Sequence, residues 1–98
     1  MYLKIHDNPA GKVVAVCDAE LIGKILKDEN GYMDLEKYRS FYVGEKADEG
    51  KVKKALGSFD SANLVGKKVV GIALDMGLAS SDDVNYINRI PYIQLYKI

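Results

Sequence analysis

The most reactive pair in this chain is a thiol next to a carboxylate. Cys17 ends an apolar run and directly precedes Asp18, at which a short helix is predicted to begin. A helix N-terminus can activate a thiol as a nucleophile, whereas burial and a neighbouring carboxylate raise its pKa. A free cysteine more often serves as a small buried hydrophobe. We therefore predict that Cys17 is structural and that Asp18 is a helix cap.

The chain's other acid–base candidates are isolated. Glu45 follows the segment Phe41-Tyr42-Val43-Gly44, and no second carboxylate stands at a fixed spacing from it. His6 is the single histidine, on the polar side of the first predicted strand. One histidine and one cysteine cannot form the closed tetrahedral zinc sites of structural zinc modules. The sequence therefore predicts no metal, no cofactor and no assigned catalytic residue.

Phosphate-binding features are limited to lysines. The sequence contains neither G-x-G-x-x-G nor G-x-x-x-x-G-K-[ST]. Residues 1–49 carry 7 basic and 10 acidic groups, whereas residues 50–98 carry 7 basic and 4 acidic groups. Most of this basic excess comes from Lys51, Lys53, Lys54, Lys67 and Lys68. Such lysines could attract phosphates, with tyrosines as stacking faces for unpaired bases, or could simply solvate the surface.

The elements that position these residues are short in the first half of the chain. Residues 2–6 alternate in polarity and residues 12–17 are apolar on both faces, which predicts a hairpin around a five-residue turn. A brief helix follows Asp18. A second hairpin is predicted at residues 24–35, because it contains Asn30-Gly31, a strong hairpin signal. Phe41, Tyr42 and Val43 are predicted to be extended.

Two helices and two strands are predicted in the second half. The first helix begins at Asp48 or Glu49 and ends at Gly57. The second is predicted from about residue 60 to residue 76, with Gly66 and Gly71 inside it. Strands follow at 84–88 and 92–98, with a break at 90–91. The resulting order, ββαββ-αα-ββ, predicts an α+β fold with a largely antiparallel sheet and two helices packed on it.

Composition narrows the function classes further. Hydrophobic residues make up 48% of the 98 residues and charged residues 29%, an ordinary globular balance. The formal net charge is zero, so the chain as a whole is not a polybasic nucleic-acid binder. A single cysteine excludes an internal disulfide, and no apolar run reaches the length of a membrane-spanning helix. We expect one cytoplasmic domain over residues 1–98 that does not insert into a membrane.

Four segments together resemble a known family. Residues 1–6, 13–24, 41–45 and 62–66 are similar, in order, to a small conserved archaeal family catalogued as domain of unknown function 424. The resemblance implies a stand-alone cytosolic domain with no established reaction. If its motifs mark a site, the candidates are Cys17, Asp18, Tyr42, Gly44, Glu45, Asn63 and Gly66.

The sequence departs from this family near its end. Where the family has a Gly-Gly-Val-Pro-His-like stretch, this chain has Asn88-Arg89-Ile90-Pro91-Tyr92, so no histidine role carries over.

Three functional hypotheses remain. The leading one is a non-enzymatic module that binds RNA or a ribonucleoprotein. The second is an enzyme or small-ligand binder that uses the Cys17/Asp18 and Tyr42/Glu45 segments. The third is an interaction subunit or homodimer that pairs through the strand at 92–98, because an uncovered strand edge can pair with a partner.

Overall fold

The computed structural model describes residues 1–97 and contains a mixed six-stranded sheet and a separate two-stranded hairpin. The strands are β1 (Tyr2–Asn8), β2 (Gly11–Cys17), β3 (Ile25–Asp28), β4 (Gly31–Asp34), β5 (Glu45–Lys46), β6 (Ser61–Val65), β7 (Asn85–Ile87) and β8 (Ile90–Tyr96). The helices are α1 (Arg39–Tyr42), α2 (Glu49–Ala55) and α3 (Lys67–Asp75), with short 3-10 turns at Ala19–Leu21 and Ser81–Asp83. This is an α+β fold, as the sequence predicts.

The main sheet has the order β5-β1-β2-β6-β8-β7, and β3 and β4 form the second sheet. All neighbours in the main sheet are antiparallel except β2 and β6, which are parallel. β2 and β6 occupy the centre because each contributes buried residues to both faces of the sheet, which suits strands that are at least partly covered on both sides. The sheet is therefore largely antiparallel, as predicted, although the parallel β2–β6 pair itself was not predicted.

The largest correction concerns the predicted helix over residues 60–76. Ser61–Val65 forms the central strand β6, and only Lys67–Asp75 is helical. Leu64 and Val65 are both buried, one on each face of the sheet. The alternation of polar Ser61 and Asn63 with buried Ala62 and Leu64 spans only a few residues. Leu64 and Val65 also continue the helical spacing of α3 by coincidence, so the helical pattern prevailed.

Smaller corrections fall at the ends of elements. The first hairpin turns through only two residues, between Asn8 and Gly11, and not through five. Phe41 and Tyr42 belong to α1 and are not extended. The last hairpin turns at Asn88 and Arg89, both with positive φ, and not at 90–91. The 24–35 hairpin and the helix after Asp48 are confirmed.

The C-terminal strand, which the sequence predicted as a sheet edge, is an edge over only part of its length. β8 lies between β6 and β7, although β7 pairs only with Ile90–Tyr92. Over residues 93–96, β8 pairs with β6 on one side, and no described strand pairs with its other side. Of the predicted strand 92–98, Ile98 lies outside the described residues.

The core has two parts, one on each side of the main sheet. The first lies under α2 and α3 and includes Val14, Val16, Leu64 and Ile93. The second lies under α1 and the β3–β4 hairpin and is built around Ala15, Cys17, Leu26, Leu35 and Tyr42. The β3–β4 hairpin and α1 are short, so they cover only part of their face of the main sheet. The helices α2 and α3 cover more of the opposite face.

Candidate functional site

One face of the main sheet remains open to solvent beyond the second core. Cross-strand pairing places side chains of β1, β2, β6 and β8 in two rows on this face. We call it the open sheet face and define it by Lys4, His6, Val13, Ser61, Asn63, Gln94 and Tyr96. Gln94 is exposed and Tyr96 is 70% exposed, whereas the other members are half-buried.

Aromatic rings stand on both sides of the open sheet face. On the β1 side, the His6 ring stacks on Phe41 with centroids 4.6 Å apart and an angle of 16° between the planes. The His6 Nε2 atom lies 2.8 Å from the Phe41 carbonyl oxygen, which fixes the ring. On the β8 side, the Tyr96 hydroxyl donates a hydrogen bond to Gln94 Oε1 at 3.4 Å.

The open sheet face continues into a cleft at the β1–β2 turn. This cleft has a volume of about 610 Å³, and its lining includes Val13, Ser61 and Tyr96. Asp60 also lines it, and its Oδ2 accepts a hydrogen bond from the backbone N–H of Lys12 at 2.7 Å. Hydrogen-bonding groups and one large exposed ring therefore meet at this end of the sheet.

Asp18 has a structural position that the sequence did not indicate. It precedes the 3-10 turn Ala19–Leu21, but its side chain caps α3 instead. Its Oδ2 accepts from the N–H of Lys68 at 2.9 Å and its Oδ1 from the N–H of Val69 at 3.1 Å. Because β2 and β6 are parallel, their C-terminal ends lie side by side, and the residue after β2 reaches the helix that follows β6. Both carboxylate oxygens are thus occupied.

Gly66 makes room for this buried carboxylate. It has φ +116°, and a Cβ built on it would lie 2.3 Å from the Asp18 Cγ. Any side chain at this position would displace Asp18, which is 2% exposed. Asp18 and Gly66, two of the residues suggested by the family resemblance, therefore form one helix cap.

Cys17 lies in the second core and not in a cleft. Its side chain is fully buried, and its Sγ donates to the Asp18 carbonyl oxygen at 3.4 Å. Burial, with smaller contributions from the charges of Asp18 and Glu20, raises the pKa of the thiol from 9.0 to about 12. His6 pairs with Val13 at the other end of β2, so it is remote from the thiol. This geometry disfavours a nucleophilic cysteine.

The other family-motif residues do not converge. Tyr42 packs in the second core with Cys17, whereas Glu45 is exposed on β5 and accepts a hydrogen bond from Lys51 Nζ at 2.8 Å. Gly44 lies where a Cβ would come within 2.6 Å of the Leu3 carbonyl oxygen. Asn63, in contrast, is a member of the open sheet face, paired across β6 and β8 with Gln94.

The five lysines lie on the opposite side of the sheet, on α2 and α3. Lys51 is paired with Glu45, and Lys53 Nζ is 3.7 Å from Glu49 Oε2. Lys68 lines a cleft that also contains Asp48 and Glu49. The carboxylates beside these lysines offset much of the lysines' attraction for phosphates. Two opposite charges that lie close together exert only a weak field on a group farther away.

Sequence reasoning missed most of the open sheet face. Asn63 was singled out, but Tyr96, His6 and Phe41 were not associated with one another or with it. The alternation of polar Gln94 and Tyr96 with buried Ile93 and Leu95 was a usable signal, because it marks one solvated face of a strand.

Residues 1–97 contain neither a metal-ligand cluster nor a membrane-spanning helix. No three histidine, cysteine, aspartate or glutamate side chains come together in a way that could hold a metal ion. Within the same residues, no helix is long and apolar enough to cross a membrane.

Known proteins resemble the chain over nearly its whole length. A family model described as a protein of unknown function, DUF424, matches residues 5–98. The crystal structure of an uncharacterized conserved protein from Methanopyrus kandleri aligns with a TM-score of 0.78 at 25% sequence identity, covering 97% of this chain and 89% of that chain. No curated protein matches the chain.

Proposed function

The chain belongs to the DUF424 family of uncharacterised conserved proteins, and we propose that it is a non-enzymatic module that binds single-stranded RNA on its open sheet face. The main support for this proposal is a pair of aromatic positions, Tyr96 and the His6–Phe41 stack. They lie on either side of a strip of amide and hydroxyl groups. Exposed rings on a sheet stack unpaired bases, and neighbouring polar groups bind base edges.

The hydrogen-bonding strip suits base edges. Asn63 and Gln94 face each other across β6 and β8, and Ser61 lies opposite Tyr96 in the adjacent row. Amide and hydroxyl side chains both donate and accept hydrogen bonds, so they can bind the edges of different bases. An unpaired strand laid across the sheet would pass over this strip between the two aromatic positions.

Charge around the open sheet face is modest. Lys4 belongs to the face and Lys97 lines its adjoining cleft, but Asp60 lines the same cleft. The Lys4 Nζ donates to the Ser40 carbonyl oxygen at 2.8 Å. Few phosphates would be neutralised here, so we expect binding with a shallow dependence on salt. Binding through the lysines of α2 and α3 would instead have a steep dependence.

The enzyme hypothesis has less support from the geometry. Cys17 is fully buried, both oxygens of Asp18 cap α3, and Glu45 is paired with Lys51 away from Tyr42. These residues neither converge on one cleft nor present a free base. They account for the stability of the fold, which leaves the open sheet face as the better candidate for function.

Binding of a fluorescently labelled, unstructured 12-nucleotide RNA tests the proposal by anisotropy at two salt concentrations. We expect Tyr96→Ala to weaken binding by about 5- to 150-fold, because each stacked base contributes about 1–3 kcal/mol. Tyr86→Ala is the matched control, since Tyr86 is 57% exposed but lies beside α3, on the opposite face. A DNA strand of the same sequence tests the preference for RNA.

The same assay separates the two surfaces. Changing Lys53, Lys54, Lys67 and Lys68 together to glutamine should leave the affinity within about twofold. If this variant loses binding while Tyr96→Ala retains it, RNA binds the helices and not the open sheet face. If the wild-type protein binds no RNA at low salt, the proposed function is wrong.

A further inference from the structure

A second opening, separate from the cleft at the β1–β2 turn, lies where β4 meets α1. It has a volume of about 290 Å³ and is lined by Met33, Asp34, Leu35, Tyr38, Phe41 and Tyr42. We call it the aromatic cleft. Its volume is close to the lower limit of about 300 Å³ for small-molecule pockets, so it suits one ring system and not a larger ligand.

Tyr42 contributes an unused hydrogen-bonding group to this cleft. The residue is only 9% exposed, yet within residues 1–97 its hydroxyl has no hydrogen-bond partner. Every buried polar side-chain atom of the described residues does have a partner, so the Tyr42 oxygen must still reach solvent. Because Tyr42 lines the aromatic cleft, we take the cleft to be the place where its hydroxyl is accessible. Burial raises the pKa of Tyr42 to about 12, so the hydroxyl remains a donor at neutral pH.

The carboxylate of the cleft is already engaged. Asp34 Oδ1 accepts from the N–H groups of Glu36 and Lys37, and its Oδ2 accepts from the Tyr32 hydroxyl. The carboxylate therefore has its own partners, and its negative charge disfavours an anionic group inside the cleft. A neutral, flat ligand with an acceptor atom fits this combination of aromatic walls and tyrosine hydroxyl donors.

The aromatic cleft adjoins the open sheet face through Phe41. One side of the Phe41 ring stacks on His6, a member of the open sheet face, and the residue also lines the cleft. Lys37 lies near the cleft, with its Nζ 5.6 Å from the centre of the Tyr38 ring. A cation near the entrance suits a phosphate that remains outside while its base enters.

We propose that the aromatic cleft binds one unpaired nucleobase, with the Tyr42 hydroxyl donating a hydrogen bond to an acceptor atom of the base and Tyr38 and Phe41 providing apolar contact. The inference rests on the proposed function, because the base would belong to a strand that continues onto the open sheet face. It adds a specific subsite, in which a base is enclosed and not merely stacked.

Titration with uridine and adenosine 5′-monophosphates, followed by amide chemical shifts, tests the subsite without a polymer. We expect saturable shifts centred on residues 33–42, and Tyr42→Phe should weaken the nucleotide affinity by about 5- to 10-fold, because one hydrogen bond is lost. Tyr86→Phe is the matched control. Tyr38→Ala provides a second variant, since Tyr38 is 57% exposed and its removal spares the core.

The outcomes distinguish this inference from the proposed function. If Tyr42→Phe and Tyr38→Ala bind both mononucleotides as well as the wild type, or if shifts occur elsewhere, the subsite is wrong. In that case Tyr96→Ala can still weaken RNA binding, and the proposed function stands. If mononucleotides shift residues 33–42 but the 12-nucleotide RNA fails to bind, the base subsite is supported and the polymer function is not.

Discussion

Two residues whose side chains could do chemistry, Cys17 and Tyr42, are part of the hydrophobic core. Cys17 and Tyr42 pack in the same buried cluster, and burial raises the pKa of each to about 12. A group that resists ionisation at neutral pH contributes packing and not charge. Tyr42 alone among them also lines a cleft.

We expect the protein to lose stability as the pH rises above 9. The unfolded thiol and phenol release their protons near their ordinary pKa values of 9.0 and 10.0, whereas the folded forms of Cys17 and Tyr42 hold them up to about 12. The unfolded state therefore binds fewer protons between pH 9 and 12, and the free energy of unfolding falls over this range. Below pH 9 this contribution is fully present.

Urea unfolding at pH 7, 9, 10 and 11 measures this loss. Cys17→Ala removes one ionising group and should reduce the decline above pH 9, even though the variant starts from a lower stability. An identical decline in the variant and the wild type would show that the thiol is not the cause.

At the scale of elements, the parallel pair β2–β6 organises the fold. It places Asp18, at the end of β2, against the first N–H groups of α3. A helix N-terminus carries unsatisfied donors and a partial positive charge, and a carboxylate satisfies both. One contact thus joins elements that are 50 residues apart in the chain.

We expect Gly66→Ala to lower the free energy of unfolding by about 2–4 kcal/mol, through backbone strain at positive φ and loss of the Asp18 cap. Gly71→Ala is the matched control, because a Cβ at Gly71 would meet nothing within 4 Å in the middle of α3. This control should gain up to about 1 kcal/mol. Equal effects of the two variants in urea unfolding would refute the role of Gly66.

At the scale of the whole molecule, the two faces of the main sheet differ in their cover. One face is packed under α2 and α3, and the other is only partly covered by α1 and the β3–β4 hairpin. The uncovered part carries the half-exposed polar and aromatic groups on which the proposed function rests. The fold therefore leaves one side of the main sheet more accessible to solvent than the other.

We expect the fold to be independent of metal ions. A buried apolar cluster lies on each side of the sheet, and no cluster of three potential ligands occurs among residues 1–97. The melting temperature should change by less than about 2 °C when a strong chelator is added. The same chelator presaturated with calcium serves as the control. A decrease of 10 °C or more that added metal reverses would contradict this expectation.

The sequence by itself determined the features that depend on neighbouring residues. The strands of the first hairpin, the Asn30-Gly31 hairpin and the helix capped by Asp48 were all predictable, because alternation, turn residues and caps act over a few positions. The α+β class follows from the order of such elements. Burial of Cys17 was also predictable, since its strand is apolar on both faces.

Only the tertiary structure decided the features that join distant segments. Ser61–Val65 is a strand because β2 and β8 lie on either side of it, and these partners are far from it in sequence. The same pairing directs Asp18 to α3 and sets Tyr96 opposite Ser61 on the open sheet face. Such contacts depend on which strands pair and in which register, and the local sequence of a five-residue segment does not specify that choice.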